Sequence, residues 1–159
     1  MSAPPARSIL FVCMGNICRS PMAEAMFRHK ATLRGVIDEF QIDSAGTGGW
    51  HAGDPPDERM RRTAQRNGVE LDGAARQVRA SDFTEFDLVV CMDGDNHVNL
   101  LSMGAPTARL RKMLEFHPDE HEVDVPDPYY GGADGFQQVF DLLDSACDQL
   151  LDHLLAGGR

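Results

Sequence analysis

Ile9-Leu10-Phe11-Val12 is a run of bulky apolar residues, enough for one buried strand, and it runs directly into Cys13. A helix must open soon afterwards, because Ser20 suits an N-cap and Pro21 the first helical position. The spacing predicts a helix from Pro21 to about Arg34, with Met22, Ala23, Met26, Phe27 and Ala31 or Leu33 facing a core. The loop between strand and helix then lies at a helix N-terminus, where free N–H groups and the helix dipole attract anions. Gly15 and Asn16 tolerate positive φ, so this backbone can curl into a nest of inward N–H groups. Arg19 adds a planar fork that matches two oxygens of a tetrahedral oxyanion.

Cys13 falls at the centre of that positive field. Helix terminus, nest and Arg19 all favour its thiolate, and Ser20 can donate a hydrogen bond to it. A thiolate facing a bound phosphate is a nucleophile for phosphoryl transfer. A cysteine and an arginine at this spacing occur by chance, as a strand-end cysteine and a surface charge. Strand, glycine, asparagine, arginine, serine and proline together are specific. A Walker-type phosphate loop is excluded, because no Gly-Lys-Ser/Thr follows.

The rest of the chain alternates apolar runs with helical stretches. Strands are expected at Phe40 to Ser44, Asp87 to Met92 and Arg109 to Leu114. Helices are expected at Asp57 to Asn67, closed by Gly68, at Asn96 to Met103, ending at Gly104, and at Gly135 to Leu155. The last carries Phe136, Val139, Phe140, Leu143, Ala146, Cys147, Leu150, Leu151 and Leu154 on one face. Ala45 to Pro56 and Glu115 to Gly132 read as loops, and long loops in compact domains often carry function. Such alternation implies an α/β fold: one domain spanning 1–159, a three-layer sandwich of a four-stranded parallel sheet flanked by helices. Ligands then bind at the carboxyl ends of the strands, where Cys13 lies.

With 159 residues and a net charge of −10, the chain does not suit nucleic acid or an anionic membrane surface. No apolar run approaches membrane-spanning length. Residues 1–7 are expected to be a flexible N-terminus rather than a secretory signal, which points to the cytoplasm. Export by a route without a signal peptide leaves no mark a sequence can show. Four cysteines in a chain this long do not form a disulfide scaffold, and neither Cys13 nor Cys18 has the spacing or a nearby histidine for zinc. No metal and no cofactor are expected.

The segment Val12-Cys13-Met14-Gly15-Asn16-Ile17-Cys18-Arg19-Ser20-Pro21-Met22-Ala23-Glu24-Ala25 resembles the signature of the low-molecular-weight protein tyrosine phosphatases. The resemblance continues in order through Asp43-Ser44-Ala45-Gly46-Thr47, Trp50-His51, Cys91-Met92-Asp93 with Asn96, and Asp127-Pro128-Tyr129-Tyr130-Gly131. It implies hydrolysis of phosphotyrosine in proteins through a phosphocysteine, a phosphoric monoester hydrolase that needs no metal. Cys13 is then the nucleophile and Arg19 the oxyanion clamp. Asp127, by composition a turn aspartate between two prolines, becomes the general acid and later the base that activates water.

The same resemblance makes Met14, Gly15, Asn16, Ile17, Cys18 and Ser20 the phosphate-binding loop. Trp50, Tyr129 and Tyr130, otherwise loop anchors, become walls of a slot for an aromatic ring. Asn16, Ser20 and Ser44 lock the loop. Related protein-arginine phosphatases usually carry threonine where Ile17 stands, so Ile17 favours an aryl phosphate. Cys18 would form a reversible disulfide with Cys13 and shield it from over-oxidation. Cys91 and Cys147 read as core residues. Substrates would be phosphotyrosine proteins, with a bacterial tyrosine kinase the obvious partner, and the chain a monomer or weak dimer.

One departure is visible. The family often has a histidine in the segment that here reads Leu71-Asp72-Gly73-Ala74-Ala75-Arg76-Gln77, supporting the loop through the acid that matches Glu24. A different class, a thioredoxin-coupled arsenate reductase on a similar fold, would need two relay cysteines. Cys91 falls near the first position, but no cysteine occupies 93–114.

Overall fold

The computed structural model describes residues 7–119, 124–128 and 134–158. Strand β1 (Ser8–Cys13) is buried along its whole length. Its alternate side chains enter two different cores. Ile9, Phe11 and Cys13 join a cluster that includes Met22, Phe27, Leu143 and Cys147. Leu10 and Val12 join Val89, Cys91, Phe83 and Leu100 on the other face. A strand apolar on both faces has to be sandwiched, and this produces the three layers.

The sheet comprises β1, β2 (Gln41–Gly46), β3 (Leu88–Cys91) and β4 (Leu110–Lys112), all parallel, in the order β2-β1-β3-β4. Helix α1 (Arg19–Leu33) packs with α5 (Asp134–Leu155) on one face, joined by α2 (Glu58–Arg66). Phe11 and Phe27 meet at 5.9 Å between ring centroids, tying β1 to α1. The opposite face is covered by the short α3 (Asp82–Glu85) and by α4 (Gly94–Ser102). Burying each large apolar side chain in these cores contributes about 1.5–3 kcal/mol. The described residues include no helix long and apolar enough to cross a membrane.

All four strands and four of the five helices stand where the residue pattern put them, with ends displaced by at most two residues. Of the two alternatives for the last core position of α1, Ala31 is buried and Leu33 exposed. Two expectations need correction. Ser20 does not cap α1: Cys18 holds the cap position and no side chain bonds there. The Ser20 hydroxyl is drawn inwards instead, to Cys13 and Asn16. Of the two loop residues expected to tolerate positive φ, only Asn16 uses it, at φ 59°. Helix α3 escaped notice because four residues carry no periodicity, and β4 gives way after three residues to a 3-10 turn, Met113–Phe116.

The chain leaves β1 for β2 on one side, then crosses back over β1 to β3. Successive crossovers thus diverge between β1 and β3, and a crevice opens there at the carboxyl ends. Cys13 ends β1 and Asp93 follows β3 by two residues, so both border it.

Candidate active site

Residues 14–18 loop from the end of β1 to the start of α1. The loop rests on the continuation of β2, where Thr47 N donates to Cys13 O at 2.9 Å and Gly48 N to Met14 O at 3.0 Å. Gly46 makes that approach possible, since a Cβ there would lie 2.8 Å from Met14 O. A pocket of about 60 Å³ opens over the loop, lined by Cys13, Met14, Gly15, Ile17, Cys18, Arg19, His51 and Asp127.

Cys13 Sγ lies 3.0 Å from Ser20 Oγ. The Asn16 amide donates to Ser20 Oγ at 2.8 Å and to Ser44 Oγ at 3.0 Å, and its oxygen accepts Arg76 N–H at 3.0 Å. The Ser44 hydroxyl in turn donates a hydrogen bond to Glu24 Oε1 at 2.7 Å. The amide of Asn16 is thus fully engaged, which stabilises its left-handed backbone. Asn16, Ser20 and Ser44 are all buried, as loop-locking residues need to be.

Arg19 is only 3% exposed. Its Nη1 donates to Asp93 Oδ2 at 2.6 Å and to Val125 O at 3.0 Å, and Nη2 lies 3.6 Å from Asp127 Oδ2. Burial works against the charge, but Cys13, the hydrogen bond and charge of Asp93, and Asp127 together outweigh it and raise the guanidinium pKa. A buried guanidinium of fixed orientation beside a thiol has the geometry to hold an oxyanion.

Asp93 is the residue that sequence reasoning undervalued. It caps α4 by accepting Asn96 N–H at 2.8 Å while its other oxygen holds Arg19. Asp93→Asn keeps a capping side chain but removes the charge that aims the fork. It is expected to lower kcat/KM for p-nitrophenyl phosphate roughly tenfold to a hundredfold, to weaken inhibition by inorganic phosphate, and to lower Tm as the buried guanidinium loses a charged partner. Unchanged kinetics would show that Arg19 is aimed without it.

Not every expected residue comes together. Trp50 is 74% exposed and outside the pocket lining, with its ring over Gly48, where a Cβ would sit 1.8 Å from Trp50 Cζ3. Tyr129 and Tyr130 lie outside the described residues. His51, not among the expected site residues, lines the pocket instead, its ring against Gly15 and its Nδ1 3.3 Å from Asp54 Oδ2. Its signal was its place in the Trp50-His51 motif of the family resemblance. At the position of the missing histidine, Gly73 has φ 123°, and a cavity of about 100 Å³ beside it reaches Asn16, Glu24 and Ser44. Glu24 contacts Ser44 directly and accepts Arg28 Nε at 3.0 Å.

All four cysteines are free thiols. Cys18 shares the pocket with Cys13, and burial, then the charges of Asp57 and Cys13, push its thiol pKa well up. Cys91 is fully buried in β3 and its thiol is pushed up to about 12, chiefly by desolvation. Cys91 is thus placed as the core residue its apolar strand implied.

The description of the low molecular weight phosphotyrosine protein phosphatases matches residues 8–157. The chain belongs to this family. It is 46% identical to a low molecular weight protein-tyrosine-phosphatase of Bacillus subtilis over 91% of this chain and 93% of the relative. The fold superposes on a protein tyrosine phosphatase from Entamoeba histolytica with a TM-score of 0.91 and 40% identity, covering 96% and 99% of the two chains. A drosophila arginine phosphatase is also similar, with a TM-score of 0.85 and 31% identity over 91% and 96%. As a family member the chain shares the phosphatase fold from β1 through α5, with the signature loop at the pocket.

Proposed function

We infer that Cys13, Arg19 and Asp127 carry the chemistry of a protein-tyrosine-phosphatase. The class of enzyme follows from the family, and the assignment of roles rests on one observation: the three side chains line one small pocket with the fork of Arg19 buried between partners. Cys13 Sγ attacks phosphorus in line as the P–O bond to tyrosine breaks, forming a phosphocysteine. Arg19 and the loop N–H groups hold the equatorial oxygens. Asp127 gives its proton to the departing phenolate oxygen. It then takes one from the water that attacks the phosphocysteine, releasing phosphate and restoring the thiolate.

Met14 and Ile17 form apolar lining, and Trp50, Tyr129 and Tyr130 would flank the ring beyond them. Cys18 would trap oxidised Cys13: a peroxide turns the thiolate into a sulfenic acid, and Cys18 displaces its hydroxyl as water to give a disulfide. The substrates are phosphotyrosine proteins of the cytoplasm, a bacterial tyrosine kinase among them, and the chain acts alone or as a weak dimer.

The test is hydrolysis of p-nitrophenyl phosphate without metal, at mildly acidic pH under reducing conditions. Turnover blocked by vanadate is expected; none in folded, reduced protein would sink the reading. The similarity to an arginine phosphatase gives a second substrate to compare. Phosphotyrosine peptide should be cleaved well ahead of phosphoarginine peptide, because Ile17 offers the pocket no hydroxyl.

A further inference from the structure

Arg76 lies outside the pocket, yet its backbone bonds to residues that support the loop behind Cys13. Its N–H is the donor to Asn16 Oδ1, and its carbonyl accepts Gly46 N–H at 2.8 Å. Its guanidinium is held on two sides. Nη1 and Nη2 form a bidentate pair with Asp82, at 2.9 and 3.1 Å, and Nε donates to Asp43 at 3.1 Å. Asp82 is fully buried and also accepts Arg79 N–H at 2.7 Å. Asp43 is on β2, next to Ser44. The clamp therefore fixes Arg76 against both α3 and the strand that carries Ser44.

An amide side chain can be turned either way, and the direction matters here. The N–H of Arg76 can only donate, so the atom of Asn16 facing it has to be the oxygen. The NH₂ end must then face Ser20 and Ser44, occupying an acceptor site of Ser20 Oγ. The single Ser20 proton remains available for Cys13 at 3.0 Å, with only the longer contact to Ala45 O, 3.4 Å, competing. Were Asn16 turned round, its oxygen would claim that proton and the thiolate would lose its donor. Glu24 supports the same direction from the Ser44 end.

We propose that Arg76, clamped by Asp43 and Asp82, is a positioning residue that fixes the direction of the hydrogen-bond chain ending on the Cys13 thiolate. The proposal rests on the phosphatase reading, so its test uses thiolate reactivity rather than turnover. Iodoacetamide labelling of Cys13, followed by peptide mass across mildly acidic to neutral pH, reports the thiolate directly. Burial pushes the thiols of Cys18, Cys91 and Cys147 up, and fragment masses separate Cys13 from Cys18, which shares its pocket.

Arg76→Ala should move the acidic limb of the labelling profile to higher pH by roughly 0.5–1 unit, slowing labelling about 3–10-fold at its acid end. Arg76→Lys, which keeps a cation for Asp82, should recover at least half of the shift. Lys30→Ala, which breaks the α1–α5 pairs with Asp144 and Asp148, serves as the control: it costs stability and leaves the limb in place. If Arg76→Ala does not fold, Asp43→Asn releases one arm of the clamp and should give a smaller shift in the same direction. A limb unmoved in whichever of these variants folds, at lowered Tm, would make Arg76 structural only and overturn the proposal. A wild-type Cys13 that labels like a free cysteine would overturn the phosphatase reading and this proposal with it.

Discussion

Replacing Cys13 by serine is expected to abolish turnover of p-nitrophenyl phosphate, with a loss of at least about a thousandfold, while phosphate binding persists. The hydroxyl is smaller than the thiol and fits the same place, 3.0 Å from Ser20 Oγ. It is not ionised at any pH the fold withstands, so the nucleophile is lost. The features that hold the anion are untouched: the loop backbone, the helix N-terminus and Arg19 with its partners Asp93 and Val125. Removing the thiolate also removes a negative charge from the pocket, which favours an anionic ligand. Titration with inorganic phosphate, followed by the fluorescence of the single tryptophan, Trp50, which adjoins the pocket-lining His51 in the chain, would read binding in the absence of chemistry. Residual activity close to wild type would show that another group attacks phosphorus. Loss of both turnover and binding would point to a collapsed loop rather than a missing nucleophile.

The fold was legible because its signals are long or doubled. β1 is apolar on both faces, so it had to be sandwiched, and α5 shows an unbroken apolar stripe over 22 residues. The site was legible where one short segment carries several chemical constraints together, from Cys13 to Ser20. What could not be read were relations between distant residues. Nothing local to Asp93 announces that its second oxygen faces Arg19, 74 positions away. The cap it makes on α4 is a sufficient explanation of the residue by itself. Ser20 was assigned the ordinary role of its type, a helix cap, and tertiary partners overrode it. Arg76 is further removed still. It acts through its backbone on Asn16, and a backbone donor leaves no trace in residue identity.

Asp127→Ala should slow hydrolysis in a way that depends on the leaving group. A phenolate of low basicity departs without help, whereas a more basic one needs its oxygen protonated as the P–O bond breaks. For phenyl phosphate the loss should reach roughly 10²–10⁴-fold, and for p-nitrophenyl phosphate it should be clearly smaller. The geometry fits such a role. Asp127 stands between Pro126 and Pro128, with 26% side-chain exposure, and lines the same small pocket as Cys13. It lies 3.6 Å from Arg19 Nη2, which lines that pocket too. Arg19 also makes a second outcome readable. If Asp127 served only to orient the fork, its removal would weaken oxyanion stabilisation for every substrate alike. Rates across a series of substituted phenyl phosphates would then fall by a common factor, and a plot against leaving-group basicity would keep its wild-type slope. A steeper slope in the variant is the signature of a lost acid. Asp127→Asn provides the check on shape, since it preserves size and a polar contact to Arg19 but has no proton of suitable acidity to give. It should follow the alanine variant in slope; recovery of the wild-type slope would assign Asp127 to positioning instead.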